Sequence, residues 1–189
     1  VTVPGLTVLA GPAAVGKGTV VSALRRRYPE IVVSVSVTTR PPRPREREGR
    51  EYHFVSDAEF DRLIATDALL EWARVHQVAR YGTPRLPVEQ AVAEGRAVLL
   101  EIDLQGARQV RTSAPEARFV FLAPPDFQTL VDRLQHRGTE TAQDRERRLE
   151  TAREELAAQS WFDHVIVNDE VGRAAAELAS LMGLEATAT

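Results

Sequence analysis

Hydrophobic positions fall into short runs separated by longer amphipathic stretches. Five apolar runs rich in β-branched residues stand out: Leu6–Ala10, Ile31–Val37, Ala97–Ile102, Arg118–Leu122 and His164–Val167. Several are continuous rather than alternating, as in strands buried on both faces of a parallel sheet. Between them the period becomes helical. In Phe127–Arg137, Phe127, Leu130, Val131 and Leu134 share one apolar face, with Asp126 placed as N-cap and Gly138 as terminator. Thr141 followed by Asp144 marks the start of a charged helix running to about Gln159, expected to be exposed and to carry little core. An amphipathic helix closes the pattern at about Gly172–Met182. Strands alternating with helices predict an α/β domain built on a parallel sheet.

One segment breaks this rhythm. Residues 38–83 hold Pro41, Pro42 and Pro44, the charged run Arg43–Glu51, short apolar pieces and a short helix near Asp57–Ala65. They read as an insertion carried on the sheet. A second, shorter insertion is expected at about 138–144, between two helices that bear arginines. The remaining segments, 1–37, 84–137 and 145–189, form the core of what 189 residues allow as one domain.

Composition narrows the function classes. Without cysteine, disulfides and thiolate metal sites are excluded, and a reducing cytoplasm suits the chain. No apolar run is long enough to span a membrane, and no export signal is seen at the N-terminus. A net charge of −3 is too mild for a general nucleic-acid binder. The basic residues are arginines with a single exception, Lys17.

That lysine sits in Gly11-Pro12-Ala13-Ala14-Val15-Gly16-Lys17-Gly18-Thr19, between the first predicted strand and a helix at about Thr19–Tyr28. Strand, glycine-rich turn and helix are the context a P-loop needs: its N–H groups converge on phosphate oxygens, the helix N-terminus adds positive potential, and Lys17 reaches the β- and γ-phosphates. A nucleoside triphosphate is therefore the expected ligand. Gly18 stands where serine or threonine usually helps to hold Mg²⁺, and Thr19 follows one place later. The Gly-Lys-Gly-Thr ending resembles those of nucleoside monophosphate kinases. Beyond it, Arg40 and Arg43, stiffened by prolines, offer two guanidinium forks suited to a second phosphate.

From here the chain resembles guanylate kinase along nearly its whole length. The residues that carry the resemblance are Thr38-Thr39-Arg40-Pro41-Pro42-Arg43, Gly49-Arg50-Glu51-Tyr52-His53-Phe54, Leu70-Glu71-Trp72-Ala73, Tyr81-Gly82-Thr83, Glu101-Ile102-Asp103-Leu104-Gln105-Gly106, Arg137-Gly138-Thr139 and Val167-Asn168-Asp169, in family order. The resemblance implies a P-loop kinase fold: a five-stranded parallel sheet flanked by helices, a GMP-binding insertion (38–83) and a short lid (about 138–144). It implies that Arg40, Arg43, Tyr52 and Tyr81 clamp the GMP phosphate, and that Glu71 accepts from guanine N1 and N2. Ser36, Thr83 and Asp103 are the implied remaining base-side contacts. Lys17 and Arg40, with Arg137 and Arg148 from the lid, are the implied catalytic groups, and Arg133 is a further lid candidate. Asn168 is implied near the adenine of ATP. Mg²⁺ is implied beside the phosphates, with Thr19 and Glu101 as candidates acting through water.

Three positions depart from the family pattern. Glu101 replaces an aspartate, Gln77–Gly82 keeps one tyrosine of the usual two, and Gly18 stands in place of serine or threonine. All four histidines are read as structural or solvated, and Trp72 and Trp161 as packing residues. The implied activity is ATP-dependent phosphorylation of GMP and dGMP. A second class, a non-catalytic guanylate-kinase-like interaction module, would be expected to have a degraded P-loop. A third, a sugar kinase, has no use for Glu71. No oligomeric state follows from the pattern.

Overall fold

The computed structural model describes residues 5–75, 79–135 and 142–184. Strand β1 (Leu6–Ala10) leads through the P-loop into α1 (Lys17–Arg27). Strands β2 (Val32–Val33), β3 (Val37–Thr38) and β4 (His53–Phe54) precede α2 (Asp57–Ala65), and β5 (Leu69–Val75) and β6 (Ala79–Pro84) follow it. Then come α3 (Arg85–Ala93), β7 (Val98–Glu101), α4 (Leu104–Ser113), β8 (Arg118–Ala123) and α5 (Phe127–Gln135). Helix α6 (Ala142–Ala157), a 3₁₀ turn (Ala158–Trp161), β9 (His164–Val167) and α7 (Val171–Leu181) complete the described chain.

The strands form two sheets. The larger has the order β2-β7-β1-β8-β9 with every pairing parallel, the expected five-stranded α/β sheet. In β1, Val8 and Ala10 join the core beneath α3 and α4, whereas Leu9 joins the core beneath α1, α5 and α7. Both faces are dry, which is why the strand reads as a continuous apolar run. The charge of α6 conceals a contribution to this core: Ala152 is buried, with Leu149 and Leu156 packed against the same cluster.

The smaller sheet, β4-β3-β6-β5, mixes parallel and antiparallel pairs and is built wholly from residues 37–84. It corrects one expectation. The run Ile31–Val37 is not a single strand, because β2 pairs with β7 while β3 belongs to the small sheet. The last large-sheet bond is from Ser34 N–H to the Leu99 carbonyl (3.0 Å). An apolar pattern carries no record of which sheet a strand joins, so a change of partner within one run is invisible to it.

The small sheet and α2 are pinned by Arg80, whose side chain is buried. Its Nη1 bonds Asp61 Oδ1 (2.5 Å), and its Nη2 bonds Asp57 Oδ1 (2.6 Å) and the Asp57 carbonyl (2.9 Å). The guanidinium also stacks 4.7 Å from the Phe60 ring centroid. Arg80→Met keeps the apolar stem and loses these contacts. Because both aspartates are largely exposed, the expected loss is modest, about 1–2 kcal/mol. Urea unfolding checks it, and an unchanged midpoint would show that the pin is dispensable.

Candidate functional site

The P-loop is shaped by positions that admit no side chain. A Cβ on Gly11 would fall on the Leu122 carbonyl oxygen. Gly16 has φ +101°, and a Cβ there would lie 2.7 Å from Asn168 Nδ2. Only glycine takes this conformation without strain. Two donors hold the loop from outside: Asn168 Nδ2 and Arg133 Nη1 both bond the Val15 carbonyl, at 2.8 and 2.9 Å. Asn168 Oδ1 is buried without a protein partner among the described residues. Lys17 folds back over the loop, its Nζ donating to the carbonyls of Gly11 (2.6 Å) and Pro12 (3.3 Å).

The start of α1 separates two hollows. On one side lies a cleft of about 590 Å³, lined among others by Lys17, Gly18, Ser36, Arg40, Arg43, Tyr52, Glu71, Tyr81, Glu101 and Asp103. On the other lies a pocket of about 560 Å³ bordered by Ala14, Gly16, Thr19, Arg133 and Asn168. Each is of the size that holds a small-molecule ligand. The two candidate metal-side residues thus face different hollows, Glu101 the first and Thr19 the second.

Within the first cleft two groups converge. One is cationic and aromatic. Arg40 Nε donates to Tyr81 Oη (3.0 Å), its guanidinium stacks over Tyr52 at 5.1 Å, and Tyr52 and Tyr81 meet edge to face at 5.7 Å. Tyr81 thus lies beside Arg40 and Tyr52 in this cleft. Glu46, which the sequence reading did not single out, takes both arms of the Arg40 fork at 2.7 and 2.9 Å and caps the Arg43 N–H at 2.8 Å. The Arg40 bond is the main reason its carboxyl is held below the usual range. In this state Arg40 is ordered, but its fork is already occupied by a carboxylate.

The other group is acidic and buried. Glu71 is only 5% exposed. Thr83, fully buried, donates its hydroxyl to Glu71 Oε1 at 2.6 Å. Asp103 caps α4 by accepting the Gly106 N–H (2.8 Å). Burial pushes the Glu71 carboxyl up to about 7, helped by the nearby Asp103 charge and opposed by the Thr83 bond. A ligand that hydrogen-bonds to the ionised form must therefore bind less well once Glu71 protonates. KM for such a ligand should be flat above about pH 7 and rise towards tenfold per pH unit below it. Initial rates across pH check this, and a profile identical in Glu71→Gln would reject it.

Glu101 is likewise pushed up by burial, with the Lys17 charge opposing. Glu155 was not foreseen: its Oε2 accepts the P-loop N–H of Ala13 at 3.1 Å, although it lies on α6, 142 residues away. Burial raises its carboxyl too, against that bond and Lys17. One of two adjacent glutamates in the run Arg153-Glu154-Glu155 offers no signal of such a contact. His53 Nδ1 lies 2.8 Å from Glu48 Oε1. Trp72 and Trp161 are about one-third exposed and pack edge-on against Phe60 and Phe119. Arg137, with residues 138–141 of the expected lid, lies outside the described residues, as does the side chain of Arg148.

A P-loop on a parallel sheet, facing a second basic cleft with a buried carboxylate, defines a phosphotransferase of the nucleotide-kinase class. The family model for guanylate kinase matches residues 4–185. The guanylate kinase of Leifsonia xyli is 62% identical over 177 residues, covering 94% of this chain and 70% of that protein. That of Cutibacterium acnes is 59% identical over 179 residues, covering 95% and 90%. A crystal structure of guanylate kinase from Anaplasma phagocytophilum superposes with a TM-score of 0.78 at 32% identity, covering 98% of this chain and 88% of that one. The chain belongs to the guanylate kinase family, and its activity is phosphoryl transfer from ATP to GMP.

Proposed function

We propose that GMP occupies the cleft holding Arg40 and Glu71, that ATP lies across the P-loop with its adenosine in the pocket beside Asn168, and that transfer takes place at the start of α1. The observation that carries this arrangement is the placement of two nucleotide-sized hollows on opposite sides of Lys17 and Thr19. Arg40, Arg43, Tyr52 and Tyr81 take the GMP phosphate. To do so the phosphate displaces Glu46 from the Arg40 fork, exchanging one anion for another of greater charge. Glu71 reads guanine N1–H and N2–H₂, with Ser36, Thr83 and Asp103 around the base. dGMP is accepted as well.

The N–H groups of Gly11 to Thr19 cradle the β- and γ-phosphates. Lys17 leaves its loop carbonyls to bind the transferring group, and Arg133 and Asn168 keep the loop in shape. Arg137 and Arg148 supply further positive charge, which phosphoryl transfer needs more than covalent help. A hard oxygen donor, the half-buried Glu101, lies near Gly18, with 3.6 Å between its Oε1 and the position of a Cβ there. That donor suits Mg²⁺, which is typically held by one or two carboxylates together with substrate phosphates. Glu101 and Thr19 would hold its waters, and the ion would neutralise charge on the transferring oxygens. Among the described residues no helix is long and apolar enough to cross a membrane. We assign the reaction to the cytoplasm.

Steady-state rates with GMP, dGMP, AMP, CMP and UMP test the proposal. GMP and dGMP should be used far better than the others, and a preference for any other base would overturn it.

A further inference from the structure

We propose that Gly106 and Gln109, one turn apart on α4, are positioning residues for the guanine-reading carboxylate of Glu71; the inference rests on that reading of Glu71. Strand β5, which carries Glu71, is an edge strand of the small sheet, paired on one side with β6. On its open side the backbone of Trp72 is bound by a side chain. Gln109 Nε2 donates to the Trp72 carbonyl (2.6 Å), and the Trp72 N–H donates to Gln109 Oε1 (3.1 Å). One amide thus takes the place of a neighbouring strand and fixes the backbone one residue beyond Glu71.

Gly106 acts on the carboxylate itself. A Cβ at this position would overlap Glu71 Oε2, lie 3.0 Å from Glu71 Cδ and 3.4 Å from Asp103 Oδ1. Its N–H meanwhile orients Asp103 (2.8 Å). The carboxylate is therefore held between the Thr83 hydroxyl on β6 and a gap in α4 that only glycine leaves. Because α4 follows β7 of the large sheet, the same helix face ties the base-reading strand to the sheet that carries the P-loop. Helix propensity does not explain a glycine here, since alanine is the better helix former.

The test compares GMP with inosine monophosphate, whose base lacks the N2 amine, and records KM for ATP and the melting temperature. Gly106→Ala should raise KM for GMP by about 10–100-fold and shrink the preference for GMP over inosine monophosphate, with KM for ATP within about twofold. Gln109→Ala should raise KM for GMP by about 3–10-fold, and Gln109→Glu, which still accepts from the Trp72 N–H but cannot donate, should fall between it and the parent. Should Gly106→Ala fail to fold, the Gln109 pair carries the test. If both alanine variants leave KM for GMP and the base preference unchanged while Glu71→Gln collapses them, Gly106 and Gln109 only pack, and the inference is overturned. Equal losses towards ATP and GMP would mean general loosening and overturn it too. If Glu71→Gln itself leaves the preference for GMP over inosine monophosphate intact, the reading of Glu71 fails, and this inference with it.

Discussion

Lys17→Ala should lower kcat for GDP formation by about 10³-fold or more, in line with the removal of a preorganised charge at a developing phosphoryl transition state. The expectation rests on position and on scarcity. Lys17 is the first residue of α1, on the wall of the first cleft, and it is the only lysine in the chain. No other lysine can stand in for it. The structure adds a second role, since Nζ bonds the carbonyls of Gly11 and Pro12 and so ties down the loop whose N–H groups must face the phosphates. The two roles separate experimentally. Loss of the tie alone would raise KM for ATP and lower the melting temperature slightly, whereas loss of transition-state charge lowers kcat at saturating ATP. Lys17→Arg keeps a positive charge but brings a planar fork in place of a compact ammonium, and should recover little. Near-normal kcat in Lys17→Ala would remove the P-loop from the mechanism.

How much of this is legible in the sequence depends on which forces wrote it. The five-stranded sheet was legible because both faces of its central strands are buried, so β1 and β8 consist of almost nothing but apolar residues. The small sheet was not. Its strands β3 and β4 are two residues each, one of them is the end of an apolar run that began in another sheet, and β5 interrupts its apolar residues with Glu71 and Arg74. Glu71 belongs to the site, and a sequence that serves a site breaks the pattern that reveals a strand.

The site divides the same way. The P-loop was legible from local spacing, and the family resemblance brought Arg40, Tyr52, Glu71 and Tyr81 to one cleft, where the structure also places them. Contacts made across the fold left no trace. Glu46 is one acidic residue in the charged run Arg43–Glu51, and nothing in that run shows that it occupies the Arg40 fork. Glu155 reaches Ala13 from α6, and Gln109 completes the edge of β5 from α4. Each is an ordinary helix-surface residue until the packing of its helix is known. Gly106 is the exception. A glycine within a helix is unfavourable enough to ask for a reason, and here the reason is the room needed by a carboxylate.

The second large effect concerns that carboxylate. Glu71→Gln should reduce kcat/KM for GMP by about two to four decades while changing kcat/KM for AMP little. The estimate follows from two hydrogen bonds to a charged acceptor at about 1.5–3 kcal/mol each, and about 1.4 kcal/mol per decade. Glutamine is nearly isosteric, so the buried pocket keeps its shape and Thr83 can still donate to the amide oxygen. The other end of the amide then presents N–H₂ towards a guanine edge that offers only donors. A donor facing a donor in a buried pocket loses the bond and leaves both groups unsatisfied. The substitution also removes a carboxyl that burial holds near neutrality, at about 7. Stability therefore should not fall, because the variant no longer has to bury a charge beside Asp103. The folded protein raises this pKa, so the parent's extra cost is absent below the ordinary carboxyl range, grows as pH rises from there towards about 7, and is constant above it. Above that pH the variant should gain on the parent in melting temperature even as it loses GMP. Unchanged discrimination between GMP and AMP would show that Glu71 does not read the base. A variant that loses GMP use and melting temperature together would show that Glu71 supports the fold instead.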